Sequence, residues 1–394
     1  MTRRLNLLAW SILASVFLGI SIYLILNPEK NGVVPAYRFA SSHWWTAESM
    51  YPGGTHGFLY APTFAVLFSP IHFLRREILG EILWRAFGFG LFVLALRYLS
   101  ACSLQPAASL STSRLSPFTF LFLVLLAVPA SLASLSNGQT NLSLSSCLVL
   151  SALALRDQKW NLVALLLTLS LVLKPIALAP WMLAFAVIPA MRIPLLVGLP
   201  IMVLVGVLHP SPIYAWGQWQ EFFQKLLNSY TPENLRVSDL FGALGRAAIP
   251  VPLLLEEGTR ASACLGALAW VWHSYQKKGL ADASWALWVG TALVFTVFNP
   301  RAETNSYVLI SPLLAYVAIH NWREGAGDRW KGIVLAAACL GLMCDGMGYA
   351  IYRATDVWFK PLIVVLVSPL LFRMPKEWKV EGGKPEGYPA LTNR

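Results

Sequence analysis

The sequence predicts an all-α, polytopic integral membrane protein with about 11–13 transmembrane helices. Three observations predict it. Of 394 residues, 57% are hydrophobic and only 12% charged, against roughly a quarter charged in an ordinary soluble domain, and the mean hydropathy is +0.59. The apolar residues fall in successive runs close to the ~20 that a helix needs to cross a ~30 Å hydrocarbon core. Sixteen Trp and thirteen Tyr suit the amphipathic belts at the two membrane–water interfaces.

Taken in order, Met1-Thr2-Arg3-Arg4 precedes an apolar run from Leu5 to Leu26 that has no small-x-small cleavage site, so a retained first helix is expected rather than a signal peptide. Further candidate spans lie at 58–74, 78–99, 117–135, 141–155, 160–173, 175–190, 193–209, 260–276, 282–298, 306–320, 331–349 and 357–372. Residues 27–57 and 210–259 are the two long stretches between spans, each too small for a separate domain. Residues 1–374 therefore read as one transmembrane domain, and 375–394, rich in Lys, Glu, Gly and Pro, as a disordered cytoplasmic tail.

The net charge of +11 is spread among short loops rather than gathered on one segment. That pattern points to membrane topology and not to nucleic acid. Arg156/Lys159, Arg192, Lys277/Lys278, Arg323/Arg329/Lys331 and Arg373/Lys376/Lys379 fall on alternate loops, which the positive-inside rule places in the cytoplasm. A plasma (inner) membrane protein with a cytoplasmic N-terminus is expected. The outer side then carries 27–57, Asn137–Asn141, Lys174-Pro175, 210–259, Asn299–Asn305 and the Asp345–Asp356 stretch. One conflict stands: counting from Arg3/Arg4 puts residues 100–116 outside, whereas the later spans put them inside. The candidate surplus crossing is 58–74, which carries Pro62 and Pro70 and could be a re-entrant element.

Ionisable groups between apolar runs cost at least ~2.5 kcal/mol each near the bilayer centre, and so ask for a reason. Lys174 interrupts the apolar stretch Leu162–Ile188 and is followed by helix-breaking Pro175. It either holds a phosphate or carboxylate at the broken helix end or snorkels to the interface. Asn137-Gly138-Gln139-Thr140-Asn141 packs three amides around a turn, as sugar hydroxyls require or as a polar hairpin with a helix cap would. Arg301, Glu303 and Asn305 alternate after Asn299-Pro300, giving an anion-binding Arg beside a carboxylate or a mutual ion pair. Segment 27–57 offers Tyr37, Arg38, His43, Trp44, Trp45, Glu48, Tyr51 and His56, with Tyr60 just beyond. They suit an amphipathic helix in the membrane plane, above a cleft or as an anchor alone. Glu81 and Arg85, four apart on one helix, are a structural pair. The five Cys show no ligand spacing, and no metal or disulfide is implied. P-loop, HExxH, GxSxG and Asp-x-Asp motifs are absent, which argues against an ATPase or a soluble nucleotide-sugar transferase.

At these residues the sequence resembles glycosyltransferase family 87, the membrane-embedded GT-C type transferases that use polyprenyl-phosphate sugars. The family's first-loop pattern resembles Tyr37, Ala40, Trp44, Tyr51 and Phe58-Leu59-Tyr60-Ala61-Pro62; its Gly-Gln-x-Asn motif resembles Gly138–Asn141; its Lys-Pro resembles Lys174-Pro175; and a later Pro-containing turn resembles Asn299–Tyr307. The resemblance implies a GT-C-like fold and transfer of a mannose-like hexose from a polyprenyl-phosphate donor to a lipid or glycan acceptor hydroxyl at the outer face, with membrane lipids as the other partners. The expected roles are Glu303 or Glu48 as base, Lys174 and Arg301 with Arg38 in reserve for the donor phosphate, and Asn137, Gln139, Asn141, Asn305, Tyr37, His56 and Tyr60 for sugar or acceptor. No cofactor is expected beyond the lipid-phosphate co-substrate. One departure matters: where the family usually has an Asp in the first outer loop, this chain has Val33. Asp239, Asp345 and Asp356 are weaker replacements. A lipid-linked-sugar flippase and a non-catalytic relative are the competing expectations.

Overall fold

The structure, a computed structural model, describes residues 2–53, 57–102, 117–229, 238–325, 327–343 and 347–379. Among these residues every regular element is helical: α1 (Thr2–Leu26), α2 (Val34–Thr46), α3 (Pro62–His72), α4 (Glu77–Cys102), α5 (Pro117–Ala127), α6 (Leu132–Ser136), α7 (Asn141–Arg156), α8 (Trp160–Leu173), α9 (Leu178–Val187), α10 (Pro189–Val205), α11 (Pro212–Asn228), α12 (Leu240–Arg246), α13 (Leu253–Lys278), α14 (Leu280–Leu293), α15 (Ser311–Arg323), α16 (Arg329–Gly341), α17 (Met347–Thr355) and α18 (Lys360–Val367). The all-α membrane class is as the composition requires. Arg3–Leu26, Glu77–Cys102 and Leu280–Phe298 are each long and apolar enough to span alone. Pro117–Ala127 and Pro129–Ser136 reach that length only together, across a bend of 42°, as a broken span or a re-entrant loop would. Pro129, Pro175 and Pro189 open new helical segments, because proline lacks the N–H that an unbroken helix would use.

α7 is the spine. Of its residues only Leu150 escapes full burial, and its neighbours include α4, α8 and α14. Serines make this close packing possible: Ser145 Oγ donates to Val308 O (2.9 Å), while Ser146 and Ser151 bond back to carbonyls of their own helix. Outward-facing Ile193, Leu196, Val197, Ile201 and Leu204 on α10 are exposed apolar residues, the surface a lipid-facing helix presents.

Polar contacts collect at two ends. One end joins the α1–α2 loop, the α6–α7 turn, the α8–α9 break, α11 and the 299–305 turn. The other joins Arg156, His320, Glu324, Arg373, Lys376, Glu377 and Trp378. These are the two groups that alternate-loop charge bias separates. The segment 58–74, the candidate surplus crossing, forms one short helix. α3 has 11 residues, about 16 Å at 1.5 Å per residue, roughly half of a ~30 Å hydrocarbon core. It turns back within the first end, where Arg38 donates to Ile71 O and His72 O (both 3.4 Å) and Glu77 O (2.8 Å). Its apolar character serves packing, with Phe64, Ala65 and Phe68 buried against α2 and its neighbours.

The tail begins later than its composition suggests. Trp378 is fully buried and donates to Ser284 Oγ at 2.9 Å, so 375–379 belongs to the folded body, and residues 380–394 lie outside the described ones. Composition marks Lys and Glu but undervalues one anchoring Trp.

Glu81 and Arg85 form the structural pair expected of them, both nearly inaccessible. Arg85 also donates to Asn31 O (2.9 Å) and to Ser136 O (2.9 Å from Nη2, 3.2 Å from Nε). Removing one member of a buried pair leaves an uncompensated charge, at about 3–5 kcal/mol. Arg85→Leu should therefore lower the unfolding midpoint sharply in detergent, and Glu81→Leu/Arg85→Leu should recover part of the loss; equal midpoints for the two variants would contradict a charge origin.

Candidate active site

Three helix interruptions bring the polar residues together. The first is the turn between α6 and α7. Gly138 has φ +65°, and a Cβ there would stand 2.4 Å from Val34 Cγ2, so glycine is needed twice over, for handedness and for space. Trp84 Nε1 donates to Gly138 O (2.8 Å) and Val33 N to Asn137 O (3.0 Å). This holds the turn from α4 and from the first loop, leaving Gln139 and Asn141 to face the second interruption.

That second interruption is Lys174. It takes an extended backbone, φ −162° and ψ 123°, as a residue before proline tends to, and the chain restarts as a 3-10 turn, Pro175–Ala177, leading into α9. The partly buried ammonium donates to Asn141 Oδ1 at 2.8 Å. The third is the 299–305 turn. Before it, α14 widens into a π-helical stretch, Val294–Phe298, a distortion frequent at functional sites. Asn299 Oδ1 accepts from Arg301 N (3.1 Å) and Ser306 Oγ from Glu303 N (3.1 Å), while Ser134 Oγ donates to Asn305 O (2.9 Å).

The outcome is one hydrogen-bonded line. Lys174 donates to Asn141; Asn141 Nδ2 donates to Gln139 Oε1 (2.8 Å) and Asn305 Oδ1 (3.2 Å); Gln139 Nε2 and Asn305 Nδ2 both donate to Glu303 Oε2 (3.0 and 3.1 Å). Asn141 and Asn305 are buried, and Glu303 is exposed at the end of the line. Arg301 stands beside it, half-buried, with a guanidinium N–H on Ser229 O; burial lowers its pKa, and the Glu303 charge opposes that. Tyr37 and Tyr60 share a hydroxyl–hydroxyl bond of 2.8 Å, and Tyr60 reaches Thr140 Oγ1 at 3.5 Å, so this aromatic pair borders the same turn.

Other candidates lie elsewhere. Arg38 is spent on the α3–α4 carbonyls. Glu48 is an exposed carboxylate paired with His43 at 3.2 Å. Asn137 enters by its main chain. Asp239 caps α12 through Gly242 N (2.7 Å) and binds Arg260 (2.6 Å); burial raises its pKa even against those partners. Asp356 pairs with Arg246 at 3.1 Å. His56 and Asp345 are outside the described residues.

Two lysines at this end escaped the sequence reading. Lys360, 1% exposed, donates to Thr304 O at 3.0 Å, next to Glu303. Its signal was the same Lys-Pro dipeptide that singles out Lys174, repeated as Lys360-Pro361. Buried Lys225 donates to Pro52 O at 2.7 Å. Burial, then the charge of Arg301, holds its pKa below the usual lysine value. Its signal was weak, one cation on an amphipathic helix.

The sequence model of glycosyltransferase family 87 matches residues 58–312, well over half of the chain. The chain belongs to glycosyltransferase family 87. Gly138–Asn141, Lys174-Pro175 and Asn299–Tyr307 all fall within the matched range, while Tyr37 to Tyr51 and Val33 precede it. No curated protein and no solved structure matches the chain. Family membership makes the protein a glycosyltransferase.

Gly138→Ala should destabilise the protein by about 1–2 kcal/mol from the left-handed backbone alone, read as a lower unfolding midpoint. Gly138→Asn, whose backbone tolerates that region, should fare no better, since its Cβ meets the same Val34 methyl; a fully stable Asn variant would dismiss the steric argument.

Proposed function

We propose that this glycosyltransferase moves a mannose-like hexose from a polyprenyl-phosphate sugar to the hydroxyl of a lipid or glycan acceptor, on the outer face of the plasma membrane. The observation that carries the reading is the continuous line of hydrogen bonds from Lys174 through Asn141 to Glu303. It sets a cation, a group of amides and a reachable carboxylate in one polar centre at the end of an otherwise apolar body. The clustering of Lys and Arg at the opposite end supports an outer location.

In this reaction the acceptor oxygen bonds to the anomeric carbon and its proton passes to the Glu303 carboxylate, as general-base catalysis requires. The bond from the anomeric carbon to the phosphate oxygen breaks, and its electron pair leaves with the polyprenyl phosphate. Lys174 and Arg301 meet the charge that develops on that phosphate, and fixed cations in a site of low dielectric do so without reorganisation. Gln139, Asn141 and Asn305 carry donors and acceptors suited to sugar hydroxyls, and Tyr37 and Tyr60 flank them. A monophosphate leaving group met by two cations needs no metal in this scheme. Glu303 takes the part that the family's first-loop Asp would play, since Val33 is the N-cap of α2 and offers no carboxylate.

With a labelled polyprenyl-phosphate hexose, Glu303→Gln should reduce release of polyprenyl phosphate by about 10²–10⁴-fold, while Glu48→Gln stays near wild type. Full turnover in both would remove Glu303 as the base. Lys174→Ala should abolish transfer while inserting normally, and full activity would take Lys174 out of the site. Val33 in place of Asp favours one second reading, a non-catalytic relative; wild-type protein that binds the donor yet releases no polyprenyl phosphate would establish it.

A further inference from the structure

The end opposite the polar line holds a cavity of about 610 Å³ that the transfer reaction does not use. Its lining includes five cations, Arg156, Lys278, Arg373, Lys376 and Lys379, and one carboxylate, Asp282; Arg373 and Lys376 also reach Asp328 (3.8 Å) and Glu324 (3.4 Å) at its edge. Arg156 is the built part of it. The last residue of α7, it is 5% exposed, lies over the buried Trp378 ring at 5.4 Å, and pairs with Asp157 at 2.8 Å through Nη2. Its guanidinium also meets the buried Cys102 thiol.

Two further features point the same way. Residues 279–282, which open α14, line the cavity. The N-cap there is Gly279, which supplies no side-chain acceptor, and the first turn carries one carboxylate, Asp282; first-turn amides and the positive end of the helix dipole favour negative charge at this end. The other wall is apolar: Trp270 and Phe372 meet with ring centroids 4.9 Å apart, and Phe372 is 53% exposed. A cationic floor beside an aromatic wall at the end of membrane-spanning helices has the chemistry of a headgroup site with room for the start of an acyl chain.

We propose that this cavity binds a phosphate-bearing ligand, the phosphodiester headgroup of an anionic lipid or a free phosphate, held by Arg156, Lys278, Arg373 and Lys376. The site is distinct from the transfer centre and has no part in sugar transfer.

Native mass spectrometry of the purified full-length protein, released from micelles containing equal amounts of phosphatidylglycerol and phosphatidylcholine, tests this. Wild type should retain phosphatidylglycerol selectively. Lys278→Gln/Arg373→Gln/Lys376→Gln should lose that retention by about a hundredfold, whereas Lys159→Gln/Arg192→Gln/Arg329→Gln, which removes as many cations outside the cavity lining, should keep it. Displacement of the lipid by millimolar inorganic phosphate would assign the site to a free phosphate; resistance to displacement would assign it to the lipid. Equal retention of the two lipids by wild type, or equal loss in the two triple variants, would overturn the proposal.

Discussion

The guanidinium of Arg85 is the fastening on which the proposed transfer centre depends. From α4 it reaches Glu81 on its own helix, Asn31 O in the loop after α1, and Ser136 O at the end of α6. Three segments far apart in sequence thereby meet at one cation that is 3% exposed. A neutral side chain would leave Glu81 charged in an apolar body and two carbonyls short of a donor, and buried polar groups bear such losses poorly. Everything that follows in space, from the Gly138 turn to Gln139 and the line that ends at Glu303, is set by where this guanidinium holds the α6–α7 turn.

Hydropathy made most of the architecture legible, because a bilayer leaves helices almost no freedom about length or composition. It failed at 58–74, where the apolar run serves burial against α2 rather than exposure to lipid; a one-dimensional hydropathy count does not separate those two fates. The charge bias of the loops held the contrary signal, in that it marked one crossing as surplus. At the other extreme, α7 reads as one short span among many, yet its burial makes it the centre of the molecule. Nothing in its composition except the density of serine betrays that.

The site was legible where a residue contradicts its surroundings. Lys174 in an apolar run, and amides at a turn between spans, have no cheaper explanation than one another. Arg38 and Glu48 were harder, since a cation in a polar loop contradicts nothing, and only the geometry shows Arg38 occupied with helix-end carbonyls. Lys360 shows the reverse failure: its Lys-Pro dipeptide carried the same contradiction as Lys174-Pro175, but at a span boundary it passes for an ordinary interfacial lysine.

Every bond in the line from Lys174 to Glu303 points the same way, from ammonium toward carboxylate. The two formal charges thus dictate how the three amides are turned: reversing Asn141 would press its NH2 against the ammonium, and reversing Gln139 or Asn305 would set a carbonyl against the carboxylate. The amides keep one orientation as long as either charge stands, because Glu303 must be met by the NH2 groups of Gln139 and Asn305, and Lys174 by the carbonyl of Asn141. Only with both termini neutral does an array that presents fixed donors and acceptors to a ligand become one that can be read in either sense. Selectivity at such a centre is therefore stored in the direction of the line as much as in the residues that compose it.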